Sequence, residues 1–281
     1  MSVTGRAIWY IESHLRSELS LAIVADAIGV STFHLCRAFP VSTGISFASY
    51  LRGRRLSEAA EVLAQGASDI LTVALDRGYG SHEAFTRAFR QQFGLTPEQV
   101  RSRQNTNHLS LLEPITMQQT KTSTNTALLP PRTAKHEALL IFGLGRPYSC
   151  QDSNAGIPSQ WDLFLPHFGN IPGQVGKIAY GVICNSDAAG SYDYICGVEV
   201  TAFPSHPADY TRLRIPPQTY AVFDHKDHIS TVNATWSAIW NQGLTDAGFQ
   251  AVDGPAFERY GEEFDGRTGL GGLELWIPIK A

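Results

Sequence analysis

Cysteine is scarce in this chain, lysine is missing from its first third, and no hydrophobic run is long enough to matter to a bilayer. The four cysteines, Cys36, Cys150, Cys184 and Cys196, show neither C-x-x-C spacing nor histidines at zinc-finger spacing. That argues against a redox motif or a structural metal and for small buried thiols in a reduced compartment. No stretch approaches the ~18 to 20 apolar residues of a membrane span. The opening "MSVTGRAIWYIESHL" has scattered charges and no apolar core of a signal peptide. A cytoplasmic protein without membrane contact is expected. Also missing are a Ser-His-Asp spacing, a P-loop and any metal constellation, and the nine histidines are scattered. No cofactor is expected.

What is present divides by charge. Residues 1–104 hold eleven arginines, no lysine and nine acids, whereas the remainder holds eleven bases and seventeen acids. The net charge of −4 therefore hides a positive part joined to a negative one, which fits an anion-binding module beside a module that receives something else. At 281 residues, 43% of them apolar, two globular domains are expected. The polar, Thr/Asn/Gln-rich stretch from Arg103 to Pro131 ends in Pro-Pro and reads as a connector. This gives a division into 1–104, 105–131 and 132–281. A flexible connector argues against rigid coupling of the two parts through it.

The first part repeats itself. "LAIVADAIG" from Leu21 matches "ILTVALDRG" from Ile70, and "STFHLCRAF" from Ser31 matches "SHEAFTRAF" from Ser81, with one extra residue falling in the turn. A repeat whose only insertion lies in a turn is a repeated structural unit. Each unit reads as helix, glycine turn, helix: Ala25 and Ala74 allow close approach, Gly29 and Gly78 supply a turn with positive φ, and Ser31 and Ser81 cap the second helices. In "GYGSHEAFTRAFRQQFG", Phe85, Phe89 and Phe93 form the core stripe, leaving His82, Glu83, Thr86, Arg87 and Arg90 on the other side. An Ala/Leu/Glu-rich helix of about five turns separates the units. Two second helices in register, each with an arginine facing away from the core, can meet phosphates and base edges of a major groove. Arg37 and Arg87 are expected to project the same way.

On these motifs residues Ile8 to Arg103 resemble the AraC/XylS family of bacterial transcription regulators. "ILTVALDRGYGSHEAFTRAFRQQFGLTPEQVRSR" is similar to that family's most specific signature. The resemblance implies a module with two helix-turn-helix units that binds double-stranded DNA and meets RNA polymerase. It implies base-facing positions Phe33, Cys36 and Arg37 in the first unit and Glu83, Ala84 and Arg87 in the second, with His82, Thr86 and Arg90 nearby. Arginine takes guanine bidentately, glutamate accepts from cytosine, and Ala84 or Phe33 suits a thymine methyl. Pro40 departs from the pattern. It lacks an N–H and clashes with the carbonyl of Cys36, so the first recognition helix should kink or end early.

Beyond the connector the period changes to that of strands. "ALLIFGLGRPYS", "PSQWDLFLPHF", "IAYGVIC" and "YDYICGVEV" read as β-α-β-β; "TYAVFDHK", a long helix, "PAFERYGEEF" and "LGGLELWIPI" read as the same unit again. The expected fold is thus α + (α+β): an all-α domain with tandem helix-turn-helix units, then a duplicated β-α-β-β domain with a pseudo-twofold ligand cleft. Both helices on one side would leave the opposite sheet face open. Each unit ends with a carboxylate inside an apolar strand, Glu199 and Glu274, which is costly unless it is paired or faces a cleft or solvent.

This half resembles the GyrI-like effector-binding domain of multidrug-responsive regulators. The resemblance implies a cleft lined by aromatics and an acid for a small lipophilic, often cationic effector. It assigns Glu199 as the pocket acid and Tyr148, Trp161, Tyr180 and Tyr194 or Tyr192 as aromatic walls, with Glu274 as the second carboxylate. Trp236 and Trp240 read as core or rim. The alternative, also drawn from the family, is an enzyme: a hydrolase of reactive cyclopropane-bearing compounds with Trp161 and with Glu199 as general base. A third is a DNA-binding protein whose second domain has lost its ligand and meets only proteins.

Overall fold

The structure is a computed structural model that describes residues 1–67, 69–115, 127–149, 156–187, 189–205 and 210–280. Cys150 and part of the connector lie outside the described residues. The N-terminal part is helical: α1 (Val3–Ser13), α2 (Leu21–Ala27), α3 (Thr32–Thr43), α4 (Phe47–Ala64), α5 (Ile70–Asp76), α6 (His82–Phe93) and α7 (Pro97–Arg103). Units α2–α3 and α5–α6 repeat at the level of single groups. Gly29 and Gly78 have φ near +75°, at +73° and +77°. The hydroxyls of Ser31 and Ser81 accept from the amides of His34 and Ala84. Gly44 and Gly94 end α3 and α6 in the left-handed conformation.

Helix α4 serves both units. Its first half packs Phe47, Tyr50 and Leu51 with Leu35 and Phe39, while its second half packs Leu56, Ala60 and Leu63 with Val73, Phe85 and Phe89. Arg54, on α4, clasps both carboxylate oxygens of Glu12 on α1 at 3.0 Å and donates to the Leu112 carbonyl at 2.7 Å. Leu112 returns a backbone hydrogen bond to Ser57, and the Ile115 amide donates to the Tyr50 hydroxyl. The connector therefore starts as a strap along α4.

Pro40 does not shorten α3. The helix runs through it to Thr43 and has twelve residues, as α6 does. Ser42 and Thr43 return their hydroxyls to the carbonyls of Ala38 and Phe39, and Phe39 and Ala38 are fully buried. Packing on this turn holds the helical geometry that a proline alone would disfavour.

The C-terminal part is one antiparallel sheet of β1 (Arg132–His136), β2 (Leu139–Ser149), β3 (Gln174–Cys184), β4 (Ser191–Val200), β5 (Tyr210–Ile215), β6 (Gln218–His225), β7 (Ala256–Tyr260) and β8 (Leu273–Pro278). Its order is β1-β6-β8-β7-β3-β4-β2-β5. The two β-α-β-β units are β2-α8-β3-β4 and β6-α9-β7-β8, with α8 at Gly156–Phe164 and α9 at Val232–Ala238. A π-helical segment, Ile239–Gly243, extends α9. The short strands β1 and β5 are additional. Each precedes one unit and pairs with the first strand of a unit at one edge: β5 with β2, and β1 with β6. In both cases that strand belongs to the other unit, so the two halves are laced together. Strands β3 and β7 meet at the centre, where the pseudo-twofold relation places them.

Alternation assigns the faces. Tyr180, Val182 and Cys184 turn to one side with Ile195, Phe257 and Trp276. Ala179 and Ile183 turn to the side that carries α8 and α9, where Tyr194, Trp236 and Tyr260 are also found. Among the described residues no single helix is long and apolar enough to cross a membrane. Replacing Arg54 by Ala leaves Glu12 and the Leu112 carbonyl without their cation and is expected to cost about 2 to 3 kcal/mol. Urea denaturation checks it: the midpoint falls while the slope is unchanged.

Candidate functional site

Two places gather the chemistry. The first is the free side of α6. Phe85 and Phe89 are fully buried beneath it, and the helix therefore presents the residues between them. His82, Glu83, Arg87 and Arg90 are exposed and Ala84 and Thr86 are half-buried; all of these but Ala84 border a shallow groove with Gln91 and Thr96. The second unit's candidates are thus brought together on one accessible surface.

The first unit's candidates are not. Phe33 and Arg37 are buried, Cys36 is half-buried, and all three face the C-terminal domain. Ser31 donates to the Ala251 carbonyl at 2.8 Å, His34 Nε2 to the Trp240 carbonyl at 2.5 Å and the Cys36 thiol to the Asp187 carbonyl at 2.8 Å. The Arg37 guanidinium lies over the Phe33 ring and reaches the Ile183 carbonyl at 3.4 Å, while its Nε has no partner. Burial draws the Arg37 pKa down to about 10, against weaker opposing pulls from neighbouring groups that include Asp253. The expectation that Arg37 and Arg87 project the same way into solvent is therefore not met. Sequence repetition places both arginines on the outer side of their own units, but a second domain covers one of them.

The second place is a cavity of about 290 Å³ between α3, α8, α9 and the sheet. Two acids line it: Asp187, exposed at the rim, and Glu258 on β7, buried at 6% exposure. Three neutral donors hold the Glu258 carboxylate: the Tyr194 hydroxyl at 2.7 Å, the Tyr260 hydroxyl at 2.8 Å and Trp236 Nε1 at 3.0 Å. Trp161 Nε1 in turn donates to the Tyr194 hydroxyl at 3.1 Å. Hydrogen bonds of this number are what allow a carboxylate to be buried without a counter-ion. Burial, and then the charge of Glu258, hold the Tyr194 and Tyr260 hydroxyls well above the ordinary phenol range. Both therefore remain donors at neutral pH.

Gly181 makes this reach possible. On β3 it stands between Cys196 of β4 and Glu258 of β7. A Cβ there would lie 2.6 Å from Glu258 Oε2 and closer still to the Tyr194 hydroxyl. Gln160, fully buried on α8, fixes the wall: it accepts from Tyr148 at 2.7 Å and donates to the carbonyls of Leu144 and Tyr194. Trp236 and Trp240, expected as core or rim, are buried and also line the cavity, their rings stacked at 6.2 Å.

The carboxylates read from the sequence lie elsewhere. Glu199 has the strand parity of Ile195, on the opposite face from Tyr194, where its charge helps burial raise the Tyr180 hydroxyl. Glu274 is ion-paired with Arg132 and with Arg259 at 3.2 Å, and accepts from Trp276 Nε1. Tyr180, Glu199 and Glu274 thus lie on the far face, whereas Tyr148, Trp161 and Tyr194 serve the helix side. The pairing of Trp161 with Glu199 is not formed; Trp161 meets Glu258 through Tyr194. Glu258 was missed because "AFERY" was read only as a strand. Its signal was present: an acid in an aromatic strand, with the parity of Tyr260.

Residues 24–103 match a family model described as a helix-turn-helix domain, and residues 135–279, just over half of the chain, match one described as an integron-associated effector binding protein. Over 295 aligned residues the chain is 30% identical to the transcriptional regulator Rob of Salmonella typhimurium, covering 97% of this chain and 96% of that protein. The chain belongs to the AraC/XylS family of transcription regulators. It is also 31% identical over 178 residues to the right origin-binding protein of Escherichia coli K12, covering 62% of this chain and 59% of that one. The multiple antibiotic resistance protein MarA of the same organism is 34% identical over 106 residues, 38% of this chain and 84% of MarA. The regulator joins an AraC-type DNA-binding region to a GyrI-like effector-binding domain.

Gly181→Ala in this regulator is expected to destabilise the C-terminal domain by about 1 to 3 kcal/mol through overpacking against Tyr194 and Glu258. A lowered melting temperature with altered tryptophan fluorescence is the readout.

Proposed function

We propose that residues 1–104 read double-stranded DNA, that 132–281 bind a small lipophilic organic cation, and that 105–131 join them in a cytoplasmic regulator that contacts RNA polymerase. The observation that supports the DNA reading is the free side of α6, where Arg87, Arg90, His82 and Glu83 stand exposed over a packed phenylalanine stripe. A helix of this kind enters the major groove with its first two turns facing base edges. Arg87 is assigned to a guanine, Glu83 to a cytosine N4 and Ala84 to a thymine methyl, with Thr86 and Arg90 toward the backbone. Phe33, Cys36 and Arg37 hold the corresponding roles in the first unit.

The cation reading rests on Glu258. Its donors are neutral, two phenols and an indole, and it shares the cavity with the indoles of Trp236 and Trp240. Aromatic faces around a buried carboxylate attract a large organic cation, whose hydration is weak enough to give up. One observation favours a second reading: Trp161, Tyr194 and Glu258 form a hydrogen-bonded series of the residue types used by GyrI-like hydrolases of cyclopropane-bearing compounds. Consumption of such a compound by the purified regulator, abolished in Glu258→Gln, distinguishes turnover from binding.

Selection of a duplex from a random library by the purified regulator tests the DNA reading. Arg87→Ala is expected to cost about 1 to 3 kcal/mol and to relax the preference at one base position. A uniform loss over all sequences would assign Arg87 to phosphate instead. Glu258→Gln is expected to weaken tetraphenylphosphonium binding about tenfold or more, followed by tryptophan quenching, because the removed charge is the one the cation meets.

A further inference from the structure

We infer that the effector cavity is a composite site closed by the DNA-reading helix α3, so that an aromatic cation in the cavity and α3 docked on it exclude one another. The inference rests on the assignment of α3 to DNA made above, and it adds what the effector does to that helix.

The cavity wall carries it. Cys36, Arg37, Pro40 and Val41 of α3 border the same space as Trp236, Trp240 and Glu258. Phe33, Cys36 and Arg37 are also the positions assigned to bases. One set of side chains cannot lie against the sheet and in a major groove together, so DNA engagement by the first unit requires α3 to leave the cavity.

The docked state also carries a built-in cost. Arg37 is nine-tenths buried, its Nε is unpartnered, and its hydrogen bond to the Ile183 carbonyl is long at 3.4 Å. Removing a cation from water without a carboxylate partner is unfavourable, and the low pKa of Arg37 expresses the same penalty. Contacts at the margins offset it. Asn241 donates to Ser42 on α3 and accepts from the Thr4 amide on α1, beside the bonds from Ser31, His34 and Cys36. The closed arrangement is thus held by neutral groups against a cation that gains by leaving.

The sign of the effector response follows from charge. Glu258 has neutral donors and attracts a cation into the cavity, where Arg37 is already the resident positive charge. A second cation in that poorly hydrated space repels Arg37 and favours release of α3. An effector shifts the balance only through its unequal affinity for the two arrangements, and the repulsion supplies that inequality. By linkage, DNA bound through α3 raises the cation affinity by the same factor.

The test uses the full chain and a duplex it selects, compared with one in which the half-site read by α3 is scrambled. Fluorescence anisotropy measures both affinities alone, with tetraphenylphosphonium, and with tetraphenylborate, its isosteric anion; tryptophan quenching follows the probes separately. Without probe the two duplexes are expected to bind within about twofold of each other, since only the second unit is free. With tetraphenylphosphonium the intact duplex is expected to tighten about tenfold and the scrambled one not at all, while tetraphenylborate produces no tightening. Asn241→Ala, which loosens the margin without touching the cavity or a DNA-reading residue, is expected to tighten the intact duplex without probe. If the intact duplex is already preferred and a bound phosphonium changes nothing, the exclusion is wrong while the DNA reading stands. Equal tightening by the borate overturns the charge mechanism. Absence of phosphonium quenching removes the cation reading, and absence of any preferred sequence removes the DNA reading; either takes this inference with it.

Discussion

Helix α3 buries Leu35, Ala38 and Phe39 in the N-terminal core and at the same time turns Phe33, His34 and Arg37 toward α9 and the sheet. The arrangement of the two halves depends on this double burial. A helix in a two-layer domain ordinarily keeps one side for solvent. Here that side meets Trp240, Ala251 and Asp187, and one hydrophobic core runs from α1 through α3 into the C-terminal domain. The adhesive is apolar area and neutral hydrogen bonds; the charged group in the joint, Arg37, opposes it.

The effector domain shows the complementary solution to a buried charge. Glu258 is satisfied in place by two phenols and an indole, and the empty side of Gly181 leaves room for one of those phenols to cross a strand. Glu274, on the other face, is instead neutralised by two arginines. Two acids from aromatic strands of one sheet thus acquire different partners: Glu274 is ion-paired with arginines, and Glu258 is held by neutral donors inside a cavity. The pocket forms at the centre, over β3 and β7, because there the pseudo-twofold relation brings the two helices to either side of the same strands.

Much of this was legible in the residues. The offset repeat at Leu21 and Ile70 fixed two helix-turn-helix units, and Gly29, Gly78, Ser31 and Ser81 adopt the turn and cap roles assigned to them. The β-α-β-β duplication was also recoverable from period alone. The edge strands β1 and β5 were not, since "RTAKH" and "YTRLRI" carry charge and become strands by pairing with β6 and β2. Pro40 misled because local backbone preference was overridden by packing around Ala38 and Phe39.

The sequence by itself determined the local units, because capping, turn geometry and hydrophobic period act over a few residues. It also determined that α6 would show Arg87 and Arg90 outward, since a phenylalanine every fourth residue leaves only one side free. Only the tertiary structure decided which of the carboxylates faces the cavity. That choice depends on which strand lies beside Gly181, a pairing between residues 77 positions apart. It likewise decided that Arg37 is covered and Arg87 is not: equivalent positions in a repeat share their local chemistry, but a neighbouring domain can reach only one of them.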